Sequence, residues 1–258
     1  MGERRGRGRD YLSIVAAAAG LIGVWKLVAA AVGLEIILPT PEVTLERLIA
    51  IAGTRSFSMS VGATVVRGLS GFAISAGVGL VAGAPAGLRP TLERVFLPLL
   101  TVIRSTPVVA FILIALIWFD TDFVPIFVTV LMTFPVIYEN IVQGIRSVDP
   151  RLTELARAYR VSRRRRWFRV YLPSLFPFFA SAGRTALGLS WKVVVAAEVL
   201  SLPTRGVGSE LQQARVMLET PRVFAWTAVA ILLSAATDLL FSLMTRRRRR
   251  IMERGAST

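Results

Sequence analysis

Six long apolar runs separated by polar stretches organise the chain, at about 12–33, 59–83, 96–118, 123–144, 174–198 and 223–244. Each approaches or exceeds the roughly 20 residues that a helix needs to cross a bilayer. The runs are continuous rather than alternating, so they lack the period-two signature of a membrane β-barrel. The pattern predicts an all-α, polytopic membrane protein with about six transmembrane helices, forming one membrane domain over residues 1–258.

The punctuation between the runs predicts further elements. In Leu38-Pro39-Thr40-Pro41, Thr40 can cap a helix that has Pro41 at its first position, which predicts a short amphipathic helix over 41–52. Arg104-Ser105-Thr106-Pro107 interrupts the third run, predicting a separate interfacial helix over 96–106 and a crossing helix that begins at Pro107. Ser75, Gly79, Gly83 and Gly87 recur at four-residue spacing, a small-residue ridge along which another helix can approach closely. Packing within the chain and a dimer seam are both open readings of that ridge.

Between the fourth and fifth runs lies a polar segment with its own apolar pattern. Asp149-Pro150 gives a helix cap followed by proline where a missing N–H costs nothing. Leu152, Leu155, Ala156 and Tyr159 then fall at i, i+3, i+4 and i+7, one stripe on a short helix. Ser162 can cap a second short helix on which Trp167, Val170 and Tyr171 share a face, and Leu172-Pro173 is expected to stop it. Two amphipathic helices hung between membrane spans suit docking to something outside the membrane.

Composition supports the membrane reading. Of 258 residues 54% are hydrophobic and 18% charged, where a soluble domain typically carries about 25% charged. The net charge of +15 raises the question of nucleic acid, but most of the basic residues fall on one side of the six-run topology. With the N-terminus inside, Arg4, Arg5, Arg7 and Arg9, the 84–95 and 145–173 loops and the tail after Met244 are cytoplasmic, as the positive-inside rule requires. The runs Arg163–Arg166 and Arg246–Arg250 therefore read as contacts to membrane lipid and orientation signals, not as nucleic-acid sites. Arg4-Arg5 ahead of the first run resembles a secretion signal, but the run is too long for a signal core and is expected to be retained. With neither cysteine nor histidine, disulfides and transition-metal chemistry are not expected. No phosphate-binding loop and no nucleophile–base set occurs, so the chain is expected to bind no cofactor and not to be an enzyme on its own.

Ionisable residues inside apolar runs are the remaining candidates, because a charge at the bilayer centre costs roughly 2.5–3.5 kcal/mol on insertion scales. Lys26 is read as snorkelling. Arg67, Arg104 and Arg184 are expected near the inner ends of their runs in structural roles. Lys192 and Glu198 share the fifth run about 120° apart around a helix, so they do not pair with each other. Both are candidates for a translocation path, with a buried structural ion pair as the alternative for Lys192.

The docking segment resembles the cytosolic signature of permease subunits of binding-protein-dependent ABC importers, which runs Glu-Ala-Ala, a glycine, then an aliphatic residue and Leu-Pro. Glu154-Leu155-Ala156 matches its start, Val170 takes the aliphatic place and Leu172-Pro173 its end. Arg160 stands where the family has glycine, and a non-glycine residue avoids positive φ, which puts the family's turn geometry in question. The resemblance continues in Leu38-Pro39-Thr40-Pro41, Arg104-Ser105-Thr106-Pro107, Trp118-Phe119, Arg146-Ser147-Val148-Asp149-Pro150, Arg184-Thr185-Ala186-Leu187-Gly188, Ala196-Ala197-Glu198 and Gly206-Val207-Gly208, which look like the nitrate/sulfonate/taurine branch.

What this implies is specific. Leu152, Glu154, Leu155, Ala156, Tyr159, Arg160, Leu172 and Pro173 would couple the chain to a separate ABC ATP-binding subunit, which uses the ATP. Gly206 and Gly208 would lie where an extracytoplasmic substrate-binding protein docks. The permease would be a homodimer in the cytoplasmic membrane with both termini inside. An ion-gradient-driven secondary transporter and a membrane-anchored scaffold are the competing classes; the first has no use for the docking segment, and the second predicts no polar groups facing a cavity and no partner ATPase.

Overall fold

The computed structural model describes the backbone of residues 3–255 and the side chains of residues 15–241. Over the described residues the elements are helical: α1 (Glu3–Val32), α2 (Pro41–Ala52), α3 (Arg55–Leu88), α4 (Pro90–Ser105), α5 (Val108–Trp118), α6 (Val124–Arg146), α7 (Pro150–Ala158), α8 (Arg163–Arg166), a π-helical turn (Trp167–Tyr171), α9 (Leu172–Ser201), α10 (Val207–Val216) and α11 (Thr220–Gly255). They fall into two compact units, Met1–Ser58 with Glu210–Val229 and Met59–Ser209 with Ala230–Thr258.

In the first unit, the cap of the short outer helix forms as its sequence predicts. Val43 N donates to Thr40 Oγ1 at 3.4 Å, and Pro41 opens α2. Trp25 on α1 donates its indole N–H to the Pro39 carbonyl at 3.0 Å and stacks on Phe224 at 5.7 Å. Lys26 reaches the Glu42 carboxylate of α2, so its charge finds a partner beyond the apolar run. The lysine beside it holds the Glu42 carboxyl below the usual carboxylate range. Glu210 binds Arg222 at 2.7 Å and accepts from Ser56 at 3.0 Å, while Phe57 stacks on Trp226 at 5.5 Å.

The second unit is built around α6. Ile137, Ile141 and Ile145 meet Ala84, Leu175 and Ala186 in one core cluster. Phe134, Tyr138 and Val142 meet Ala86, Leu100 and Ile103 in another, and Val124 and Val128 meet Ile112, Ala115, Val193 and Ala197 in a third. In lipid there is little hydrophobic drive to bring helices together, so close backbone approach must supply the packing. The small-residue ridge of α3 does this. A Cβ on Gly79 would lie 2.7 Å from Ile137, on Gly83 3.0 Å from Ile141, and on Gly87 2.6 Å from Ile145. Each four-residue step on α3 meets a four-residue step on α6. The ridge is therefore occupied within the chain and is not free to form a dimer seam.

Among the described residues four helices, α1, α3, α6 and α11, are long and apolar enough to cross a membrane, and the α4–α5 pair makes a fifth candidate, bent by 102°. The sixth expected span, α9, has 30 residues but carries Arg184, Lys192 and Glu198 within its length. Two of those three charges are neutralised by partners: Arg184 pairs with Asp238 at 2.8 Å and Glu198 with Arg67. The break at Arg104–Pro107 is real, since Thr106 before the proline is forced into an extended conformation (ψ 130°). Its consequence differs from expectation. Helix α5 has 11 residues and reaches about 16 Å, half of the roughly 30 Å hydrocarbon core. It cannot cross alone, and α4 begins at Pro90, earlier than the sequence pattern suggests. Exposed apolar side chains such as Leu21, Leu27, Ile117, Ile231 and Leu239 suit a lipid-facing surface.

Candidate functional site

The docking segment folds as its capping residues dictate, up to one point. Asp149 Oδ1 accepts from Arg151 N at 2.8 Å and starts α7 at Pro150. No residue of this helix is buried. Leu152 is 49% exposed, Leu155 56% and Tyr159 77%, with Ala156 half-buried between them. Glu154 is exposed beside the stripe. The apolar stripe therefore does not pack on the chain's own helix ends.

Helix α7 ends in a tight closing motif. Val161 N donates to the Ala156 carbonyl and Arg160 N to the Arg157 carbonyl, both at 2.9 Å. This paired pattern requires a left-handed residue at the first position past the helix, and Arg160 adopts it with φ 50°. The turn geometry that suits glycine is kept by arginine, at a conformational cost of about 1–2 kcal/mol.

Ser162 then caps α8, accepting from Arg165 N at 3.4 Å. Leu172-Pro173 does not stop this helix. The chain passes through the π-helical turn, where Leu172 N donates to the Trp167 carbonyl, and continues into α9. Proline has no N–H to offer, and it is tolerated here in the first turn of α9, where the widened turn absorbs the mismatch. Leu172 and Pro173 are both exposed. One continuous helical rod thus runs from Arg163 to Ser201.

Along α9, Lys192 is exposed, as are Ser181, Thr185 and Ala196 on the same side, and a Cβ on Gly188 would meet nothing within 4 Å. Lys192 has no carboxylate partner among the described residues, so the structural ion pair considered for it is absent there. Small and polar groups around a lysine are an unusual face to present to lipid.

Glu198 sits differently: it is fully buried. Its carboxylate receives Arg67 Nη1 at 2.8 Å and Gly208 N at 3.0 Å, and Thr64 Oγ1 lies 2.9 Å from Oε2. Thr64 in turn accepts from Val207 N at 2.9 Å. Arg67 also donates to the Arg205 carbonyl at 2.6 Å, to the Asp122 carbonyl at 3.2 Å and to the Asp122 carboxylate. Thr204 closes the ring on Asp122 at 3.3 Å.

Arg67 is thus not at the end of its helix expected from the sequence; it joins the 119–123 turn and the 202–208 loop, both on the side assigned as outer. The direction of the second apolar run, which enters from outside, is the signal that could have placed it. Thr64 and Asp122 gave no sequence signal of their own. Gly206 and Gly208 are buried against Glu198, where a Cβ on Gly206 would lie 2.6 Å from Glu198 Cδ and one on Gly208 2.5 Å from its Cβ. Arg104 pairs with Glu139, and Arg146 with Glu93.

Residues 75–250 match the family described as binding-protein-dependent transport system inner membrane component. The chain is 30% identical to the putative aliphatic sulfonates transport permease protein SsuC of Bacillus subtilis, over 88% of this chain and 83% of that one. It is 29% identical to the taurine transport system permease protein TauC of Escherichia coli, over 88% and 85%. In structure it resembles a chain of the MetNI methionine ABC transporter in an inward-facing form, with a TM-score of 0.60 and 16% identity, over 75% of this chain and 94% of that one. The chain belongs to the binding-protein-dependent transport system inner membrane components, the permeases of ABC importers.

Proposed function

We propose that the chain forms, as a homodimer, the translocation path of an ATP-driven importer for a small solute with an anionic group, of the nitrate, sulfonate or taurine kind. An extracytoplasmic binding protein delivers the solute, and a separate subunit binds and hydrolyses the ATP. The observation that carries this reading is the uncovered stripe of α7. Leu152, Leu155 and Tyr159 would fill an apolar cleft of the ATPase, Glu154 would offer its carboxylate to a basic group there, and the Arg160 turn would fix the helix. Because α8 runs through Leu172 and Pro173 into α9, a push on the docking segment is transmitted along one helix as a rigid-body movement.

Lys192, on the polar face of α9, would attract the anion, and Glu198 lies toward the outer gate. Gly206 and Gly208 would shape the surface that the binding protein meets. Both termini and the docking segment lie inside, as the arginine distribution demands. Cysteines placed at Ser162 and Ser209 should react with an impermeant reagent from opposite faces; reaction from one face refutes this arrangement.

Replacing Glu154 by arginine tests the coupling. The variant should insert and assemble as a permease but lose uptake and substrate-stimulated ATP hydrolysis. Full uptake by Glu154→Arg contradicts the assignment. Lys192→Met should abolish uptake while leaving the ATPase docked, and normal transport by that variant removes lysine from the path.

A further inference from the structure

We infer that Arg67 and Glu198 are positioning residues for the 202–208 loop, holding it in the shape that the binding protein engages; this rests on the importer reading above. The loop has two apolar anchors, the buried Pro203 and Val207. Leu202, Thr204 and Arg205 are exposed, and Leu202 holds a left-handed φ of 50°. Its other fixed points are polar: the Arg205 carbonyl on Arg67, the Val207 N–H on Thr64, the Gly208 N–H on Glu198, and the Thr204 hydroxyl on Asp122. The backbone is clamped from behind while Leu202, Thr204 and Arg205 stay exposed.

The chemistry of the clamp explains why charge is used there. A well-packed apolar pair holds helices together at least as well as a buried ion pair does. What a guanidinium adds is direction, because its planar fork fixes several acceptors at once. Arg67 binds the Glu198 carboxylate, the Arg205 carbonyl and both kinds of oxygen on Asp122, which ties α3, the turn before α6, the end of α9 and the loop into one geometry. Glycine at 206 and 208 lets the loop backbone lie directly on the carboxylate. The surface so presented, an apolar Leu202 beside a cationic Arg205, fits a partner rim that offers an apolar contact next to a carboxylate.

The test uses Arg67→Lys and Glu198→Gln in the assembled transporter. Lysine keeps the charge but cannot reach all of the acceptors together, and glutamine keeps the shape without the charge. The chain has no native cysteine, so a single cysteine at the fully buried Val207 reports on the loop. Its reaction with a maleimide should quicken at least tenfold in both variants, while a cysteine at Ser162 reacts at an unchanged rate. In Arg67→Lys the concentration of copurified binding protein that half-stimulates ATP hydrolysis should rise about tenfold.

A purely structural role lowers the yield of folded complex and moves neither quantity, and that outcome overturns the inference. If neither variant folds, Gly206→Ala keeps both charges, displaces the loop and is held to the same readouts. A wild-type chain that captures no binding protein defeats the importer reading instead. Unchanged labelling at Val207 defeats the clamp whatever the partner.

Discussion

The two ends of α9 treat their polar groups in opposite ways. At its C-terminal end, Glu198 is sealed and every carboxylate contact is taken by Arg67, Thr64 or a loop N–H. Beyond its N-terminal end, the α7 stripe of Leu152, Leu155 and Tyr159 is left open, on a helix with no buried residue. The sealed end has satisfied its own chemistry and acts as a fixed point. The open end has an apolar face and a carboxylate that no described residue covers, which is what a surface awaiting a partner looks like. The difference separates a residue fixed by the chain's own contacts from one that those contacts leave open.

That contrast makes unequal predictions for mutations. Glu198→Ala should have the largest effect, because it removes one of Arg67's two carboxylate partners and leaves the buried Gly208 N–H without its acceptor. A loss of about 3–5 kcal/mol follows from breaking a buried pair on one side, seen as a lower melting temperature of the purified protein and a lower folded yield. Gly206→Ala comes next. Its added methyl would sit 2.6 Å from Glu198 Cδ, and overpacking of this kind costs about 1–3 kcal/mol.

At the open end the effects on stability should be small. Arg160→Gly relieves a left-handed arginine but adds freedom to the unfolded chain, for a net gain of about 0.5–1 kcal/mol. Leu155→Arg, at an exposed position, should change stability by less than about 0.5 kcal/mol. A melting curve on which Leu155→Arg costs as much as Glu198→Ala would erase the distinction.

Much of this was legible in the chain. The caps at Thr40, Asp149 and Ser162 set three helix starts, because a side-chain acceptor followed by a free N–H is a local event. The glycine ridge of α3 was legible as a packing surface, but not its partner. Only the matching four-residue steps of Ile137, Ile141 and Ile145 identify α6.

The two helix starts of the docking segment were legible, but neither the Arg160 turn, which keeps the geometry that arginine put in question, nor its end was. Pro173 looks like a stop in a sequence, and only the π-helical turn before it shows how the helix absorbs it. The clamp was the least legible part. Its members at 64, 67, 122, 198 and 205–208 come from four places in the chain, and none has a local pattern that announces the others. Arg67, expected near the inner end of its run, instead meets the 119–123 turn and the 202–208 loop, as the direction of the second apolar run implies.

The central claim is that α7 is the surface on which a separate ATPase subunit docks. It is tested most directly by isolating the transporter from membranes through a tag on this chain, in the wild type and in Leu155→Arg, and measuring the ATP-binding subunit that comes with it. The account predicts near-stoichiometric recovery with the wild type and a loss of most of it with Leu155→Arg, at equal amounts of folded permease. Equal recovery of the ATPase from both would contradict it.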